Sequence, residues 1–238
     1  MPVNSKVFYK YLGHVPYADS IRIQEELHNS LLNGKKGIDG CILMLSHEPV
    51  ITFGKYSSEE NLLVNEKILD DNGIKLYRSS RGGDITCHEP GQLVVYPVIN
   101  LKNMRIGVKA YVQMLEKTIC SFLSEFGISG STVTGRPGVW VGDTKIASIG
   151  INISRHVTTH GVAININNSL ETFGYVNPCG YPEIGMTSVY KESGEYFDME
   201  RAAKVFIEYF TEIFSVDSCE HPYFSADTGG LDWKISAA

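Results

Sequence analysis

The sequence predicts an α+β fold, a mainly antiparallel or mixed sheet with helices packed against it, and three observations carry this expectation. Short strand-like runs alternate with a few amphipathic helical segments, without the regular βαβ alternation of a parallel-sheet protein. A hydrophobic share of 43% and a charged share of 20% are ordinary for a globular chain. A chain of 238 residues buries about 70 to 75% of its unfolded surface, enough for one core without disulfides or metals. One domain is therefore expected over residues 1–218, followed over 219–238 by an acidic, glycine-containing tail that is partly disordered.

Val7 to Leu12 and Cys41 to Leu45 read as strands. Between them, Tyr17 to Leu32 carries Ile21, Leu27 and Leu31 at roughly helical spacing and ends near Gly34. Glu66 to Asn72 reads as a short helix stopped at Gly73, with Lys75 to Arg78 as the strand after it. The loop SSRGGDITCHEPGQ leads into LVVYPVINL, a strand in which Pro97 should limit pairing at a sheet centre. Gly107 to Phe126 is the clearest helix, with Tyr111, Met114, Leu115, Thr118, Phe122 and Leu123 on one apolar stripe before Gly127. VWV, KIASIGINIS and HGVAINI follow as strands, the first two joined by the hairpin-type turn Gly142-Asp143-Thr144. Ser169 to Gly174 suits one helical turn and YVNPCGYPEIGMTSV is irregular. Asp198 caps a last amphipathic helix that runs to Phe214.

A net charge of -6 argues against nucleic acid as a partner, whose binders are basic. Lys102, Arg105 and Lys109 are expected near one face of a helix, where they read either as a local docking patch for an acidic partner or as a solvated face. No run approaches the roughly 18 apolar residues that span a bilayer, and the start MPVNSKVFYKYLGHVPY has no signal-peptide core. A cytoplasmic chain without membrane contact is expected. Cys41, Cys87, Cys120, Cys179 and Cys219 are odd in number and scattered without CxxC spacing, which fits neither a disulfide framework nor a zinc site.

Chemistry-bearing residues concentrate in three places. Arg81-Gly82-Gly83, followed by Thr86 and His88, is a loop whose glycines let backbone N–H groups approach a ligand oxygen, although it has no Walker or dinucleotide spacing. Cys179 sits between Pro178 and Gly180, so it lies in a loop rather than on an apolar face, and it reads either as a reactive thiol or as a bland one. Cys87 shares that choice. Lys145 opens the strand KIASIG among small residues that leave room beside it, or it is a turn lysine in water. His88 and His160 adjoin glycine-bearing loops, where a histidine is as often structural as catalytic. The tripeptide His-Glu-Pro at His47 and again at His88 carries little weight by itself.

Taken in order and spacing, RGGDITCHEPGQLVVYPVINL, GVWVGDTKIASIGINI, HGVAININ and NPCGY with MTSV resemble the lipoyl(octanoyl) transferase family, the octanoyl-carrier-protein:protein N-octanoyltransferases of lipoate synthesis. The resemblance runs from about Val7 to Val189. It implies the fold of the biotin/lipoate protein ligase catalytic domain. It implies Cys179 as the nucleophile that carries an acyl thioester and Lys145 as its partner. Arg81, Gly82, Gly83, Asp84, Ile85, Thr86, Cys87 and His88, with Ser148, Ile149, Gly150, Gly161, Val162 and Ala163, would line the acyl site. The implied donor is an octanoyl acyl carrier protein that brings its own phosphopantetheine, so no cofactor or metal is implied. The implied acceptors are lysines of the lipoyl domains of 2-oxoacid dehydrogenases and of the glycine cleavage H protein.

The residue types suit that chemistry. An unperturbed thiol is only about 3% thiolate at neutral pH, and a neighbouring ammonium favours the thiolate. Two departures stand out: the family's usual HGPGQ reads His88-Glu89-Pro90-Gly91-Gln92, and Cys87 replaces an aromatic residue common before the histidine. Glu89 places a carboxylate that bears on local backbone geometry and charge, with a side chain that can point to solvent. Two rival readings are an ATP-dependent lipoate ligase, which needs no nucleophilic cysteine, and a non-catalytic acyl-binding protein on the same fold.

Overall fold

In the computed structural model, which describes residues 5–33, 38–178 and 184–221, an eight-stranded mixed sheet is accompanied by a smaller three-stranded one. In chain order the elements are β1 (Lys6–His14), α1 (Tyr17–Leu32), β2 (Gly40–Ser46), β3 (Val50–Phe53), α2 (Glu66–Asp71), β4 (Lys75–Arg78), β5 (Ile85–His88), β6 (Gln92–Ile99), α3 (Val108–Ser124), β7 (Ser131–Val133), β8 (Arg136–Val141), β9 (Thr144–Ser154), β10 (Val157–Asn165), α4 (Val189–Ser193), α5 (Met199–Phe214) and β11 (Asp217–Glu220). The large sheet has the order β11-β1-β2-β6-β10-β9-β8-β7, the small one β4-β3-β5. Pairing is parallel at β1–β2, β1–β11 and β3–β4 and antiparallel at the other junctions. The α+β expectation holds, with two βαβ units, β1-α1-β2 and β3-α2-β4, inside it.

The central strands read as continuous apolar runs because both of their faces are covered. Ile42 and Met44 of β2, with Leu93 and Val95 of β6, pack with α3 and α5 around Phe122, Phe206 and Phe210. Their alternate neighbours Cys41, Leu43, Leu45, Val94, Tyr96 and Val98 pack against Ile23 and Leu27 of α1. The small sheet closes a third apolar cluster with Leu69, Phe173 and Val176.

Pro97 does limit pairing, but on one side only. It sits opposite Ile42 of β2, whereas the β10 ladder ends at Val95 opposite Val162. A Cβ on Gly161 would lie 2.1 Å from Val95 O and 2.6 Å from the Pro97 ring. Only glycine lets β10 pass so close to β6.

Three local expectations need correction. On α3 the buried stripe also includes Ile119, while Met114 lies at its margin, partly buried against the core. Lys102 and Arg105 are not helical: Arg105 has φ +57°, which ends the preceding turn, and α3 begins only after Gly107. The boundary expected at 218 falls inside β11, which pairs with Lys6 to Tyr9 of β1. The rest of the tail, 222–238, lies outside the described residues.

Asp198 caps α5 as expected, its Oδ1 accepting the Arg201 N–H at 2.7 Å. Asp198→Ala should therefore cost about 1 kcal/mol and lower the thermal midpoint by about 2 to 4 °C, measured by calorimetry.

Candidate active site

A largely apolar cavity of about 330 Å³ lies where the Arg81–Gly83 loop meets β9, and its size is that of a small-ligand site. Beyond β8, β9 has a free outer edge, and the loop docks there: Gly82 N–H donates to Ile151 O at 2.8 Å. A Cβ on Gly150 would meet the Arg81 side chain at 3.1 Å and Gly82 O at 3.2 Å, so that glycine is what admits the loop.

Of the fourteen residues expected to line an acyl site, thirteen line this cavity: Arg81, Gly82, Gly83, Asp84, Ile85, Thr86, His88, Ser148, Ile149, Gly150, Gly161, Val162 and Ala163. Cys87 does not. It is fully buried in the third cluster, its thiol donating to Thr172 O at 3.4 Å. Burial, reinforced by the Glu89 carboxylate, pushes its pKa well up, so it is a packed thiol and not a nucleophile. The alternation of β5 explains this: Cys87 turns away from the face that Thr86 and His88 present.

Lys145 also lines the cavity and is only 2% exposed, which rules out a turn lysine in water. Its Nζ lies 5.4 Å from the Trp140 ring centroid, at cation–π distance. Gly138, with φ +131°, makes room for the stem, since a Cβ there would stand 2.5 Å from Lys145 Cε. The backbone of Lys145 is fixed from the other side: its N–H donates to Gly185 O at 2.8 Å, and its carbonyl accepts Thr187 N–H at 3.0 Å.

Cys179 lies outside the described residues, but the chain on either side of it is fixed at this cavity. Before it, Asn177 N–H donates to Asn61 O at 2.8 Å, and the Asn61 amide donates to the Asp84 carboxylate at 2.7 Å. After it, Ile184 lines the cavity and Met186 bridges to Lys145.

Arg81 is 6% exposed, and its guanidinium donates to Thr52 O at 2.5 Å and to Thr52 Oγ1 at 2.9 and 3.1 Å. Around it stand three neutral histidines. His47 Nδ1–H donates to Val15 O at 2.6 Å, which leaves Nε2 to accept the Tyr96 hydroxyl at 2.9 Å. His88 Nδ1 donates to Gln92 Oε1 at 2.8 Å, since the Gln92 amide is itself donating to Asn165 Oδ1. His160, at φ +57°, faces the Ser80 hydroxyl at 3.0 Å. Burial lowers all three pKa values, to about 4 for His47 and His160 and well down for His88, and the Arg81 charge adds to the effect at His88 and His160.

The two His-Glu-Pro copies thus have a structural meaning that their sequence did not convey. β3 and β5 pair antiparallel and bring His47 and His88 to a ring separation of 5.4 Å. Trp140, Tyr96, Val112, Ile151, Arg136 and Ile184 also line the cavity and were not foreseen. Indole and tyrosine rings in strands are usually core, so no local signal marked them.

Glu89 is 3% exposed and does not face solvent. Its carboxylate accepts from the Asn168 amide at 2.8 Å, Leu170 N–H at 2.8 Å and Thr172 N–H at 3.2 Å. It holds the turn whose Leu170 takes φ +68°, where donors gathered at the start of the 3-10 turn Glu171–Tyr175 suit an anion. Glu89→Ala should cost about 3 kcal/mol, because three donors, two of them buried, lose their acceptor, and Glu89→Gln should recover part of it in urea titrations.

The histidines also predict acid sensitivity. An unfolded histidine titrates near 6.5, and His47 and His160 stay neutral down to about 4. Between those values the unfolded chain binds more protons, so stability is full above about pH 6.5 and falls as pH drops through this window. The loss from about pH 7 to about pH 5 should be on the order of 2 kcal/mol per histidine. Urea midpoints against pH measure it, and His160→Gln should flatten the profile.

Comparison with known proteins agrees with this geometry. Residues 16–211 match the lipoyl protein ligase A/B catalytic domain. An octanoyltransferase from Parabacteroides distasonis is 40% identical over 216 residues, covering 87% of this chain and 98% of the relative. A crystal structure of lipoate-protein ligase A bound with ATP superposes with a TM-score of 0.74 at 16% identity, covering 92% of this chain and 88% of that one. The biotin protein ligase from Aquifex aeolicus in complex with biotin and ATP does so at 0.55 and 14%, covering 87% and 70%. The fold is that of the lipoate and biotin protein ligases, and the chain belongs to the octanoyltransferase family of acyltransferases.

Proposed function

We propose that this enzyme takes an octanoyl group from the phosphopantetheine thioester of an acyl carrier protein and delivers it to a lysine of a lipoyl domain, through a thioester on Cys179. The observation that carries the reading is Lys145, a lysine 2% exposed in a largely apolar cavity and hydrogen-bonded through its backbone to Gly185 and Thr187, just after the segment that bears Cys179. The names of the relatives and of the ligases of like fold denote attachment of octanoate or lipoate.

In this mechanism an ion pair of Cys179 thiolate and Lys145 ammonium opens the cycle. The thiolate attacks the octanoyl carbonyl, the carbon–sulfur bond to the carrier's arm breaks, and the departing sulfur takes a proton from Lys145. The acceptor ammonium then gives a proton to the neutral Lys145 and attacks the Cys179 thioester as an amine. Cys179 leaves as thiolate, and the second amine proton passes to solvent. The net release is one carrier thiol, one amide and one proton. Ile85, Val162 and Ile149 would keep water from the thioester, and the fixed Arg81 dipoles would stabilise negative charge nearby. No dissociable cofactor has a role in this cycle, and the reading places the enzyme in the cytoplasm with the carrier.

Intact-protein mass spectrometry after mixing with octanoyl-carrier protein, without ATP, should show one octanoyl adduct on the wild type and none on Cys179→Ala. Lys145→Met should slow adduct formation by about a hundredfold or more, the usual worth of a positioned acid or base. No adduct on the wild type, with octanoylation of a lipoyl domain supported only by free octanoate and ATP, would assign the ligase reaction instead, and an unslowed Lys145→Met would remove that residue's role.

A further inference from the structure

A second depression, about 390 Å³, adjoins the cavity at the β9–β10 end of the sheet. Val108 and Ile153 line it, while Val112 and Ile151 line the cavity beside Lys145. Val108 and Val112 are one turn apart on α3, about 6 Å. Ile151 and Ile153 are alternate residues on one face of β9, about 7 Å apart. The two depressions therefore form one course between α3 and β9. Val108 is 54% exposed in it, a large apolar side chain left open.

Its outer end is basic in a chain whose net charge is -6. Lys102, Arg105 and His156 line the depression, and Lys109 and Arg155 are neighbours of Val108's turn and of His156 in sequence. All five are exposed, and Lys102, Arg105, Lys109 and Arg155 form no ion pair among the described residues. Asp39, the acidic neighbour of this corner, accepts from Lys6 N–H and the Asn103 amide. The backbone of this corner is unusual. Arg105, Arg155 and His156 all have positive φ, at 57°, 49° and 69°, a conformation that non-glycine residues seldom adopt. Leu101 N–H donates to His156 O at 2.9 Å and stitches the two loops together.

We infer that this corner is the docking face for the acidic carrier protein, with the carrier's phosphate-bearing arm entering along the α3–β9 course toward Lys145. The inference rests on the carrier-donor reading above. Charge complementarity selects the partner, since opposite potentials steer encounter and raise on-rates at low salt. The alternate occupant, the acceptor domain, is separated by experiment.

The test compares wild type with Lys102→Glu/Arg105→Glu/Arg155→Glu, using octanoyl-carrier protein and the uncharged small thioester octanoyl-pantetheine as donors, at several salt concentrations. Lys102→Glu/Lys109→Glu, which leaves the positive-φ positions untouched, guards against misfolding of the triple variant. The expected result is a carrier KM raised tenfold or more at low salt with a flattened salt dependence, while kcat and turnover of octanoyl-pantetheine stay within twofold of wild type. An unchanged carrier KM overturns the docking face, as does a rise confined to the acceptor's KM, which would assign the face to the acceptor. A wild type that uses octanoyl-pantetheine but not the carrier overturns the donor reading itself, which no variant result can do.

Discussion

A guanidinium and an ammonium taken out of water each forfeit several kcal/mol of hydration, and Arg81 and Lys145 are 6% and 2% exposed on the wall of one cavity. The surrounding structure supplies substitutes for that water. Thr52 of β3 gives Arg81 a carbonyl and a hydroxyl, and the Trp140 ring of β8 lies near the Lys145 ammonium. The small sheet brings Thr52 to the Arg81 guanidinium and Thr86 and His88 to the cavity wall. Burial, reinforced by the Arg81 charge, keeps His88 and His160 neutral, so uncharged imidazoles stand beside the guanidinium on this wall.

Close packing of backbone against backbone then fixes where those groups stand. Gly161 lets β10 pass β6 at a distance that no side chain permits, and Gly150 lets the Arg81 loop reach the free edge of β9. A polar chain continues the bracing: His88 to Gln92, Gln92 to Asn165, and Asn165 to Thr187 O, where the chain returns from the Cys179 segment. Asn168 links Asn165 to Glu89. Asn168 Oδ1 is buried without a hydrogen-bond partner among the described residues, but the paired links brace the rest, and such bracing holds groups on the cavity wall at fixed distances.

Much of the scaffold was legible in the chain. The apolar runs of β2 and β6, the Gly142-Asp143 hairpin, the α1, α3 and α5 periodicities and the Asp198 cap depend on neighbours within a few positions, and they fall where local physics puts them. The glycines of the candidate site were legible for the same reason, because a residue without a Cβ marks a close approach whatever it approaches.

The residues that local reasoning misjudged are those whose surroundings come from far along the chain. The sequence alone determined the fold class, the helices and most strands, the scarcity of positive charge, and which segments bring a cysteine, a lysine and glycines together as candidates. Tertiary structure decided that Lys145 is buried rather than solvated, because Gly185 to Thr187 and Trp140 close over it. It decided that Cys87 is packed away while His88 next to it faces the cavity, and that Glu89 serves a turn some eighty residues later. Burial and charge environment are sums over contacts distant in sequence, so no window along the chain contains them.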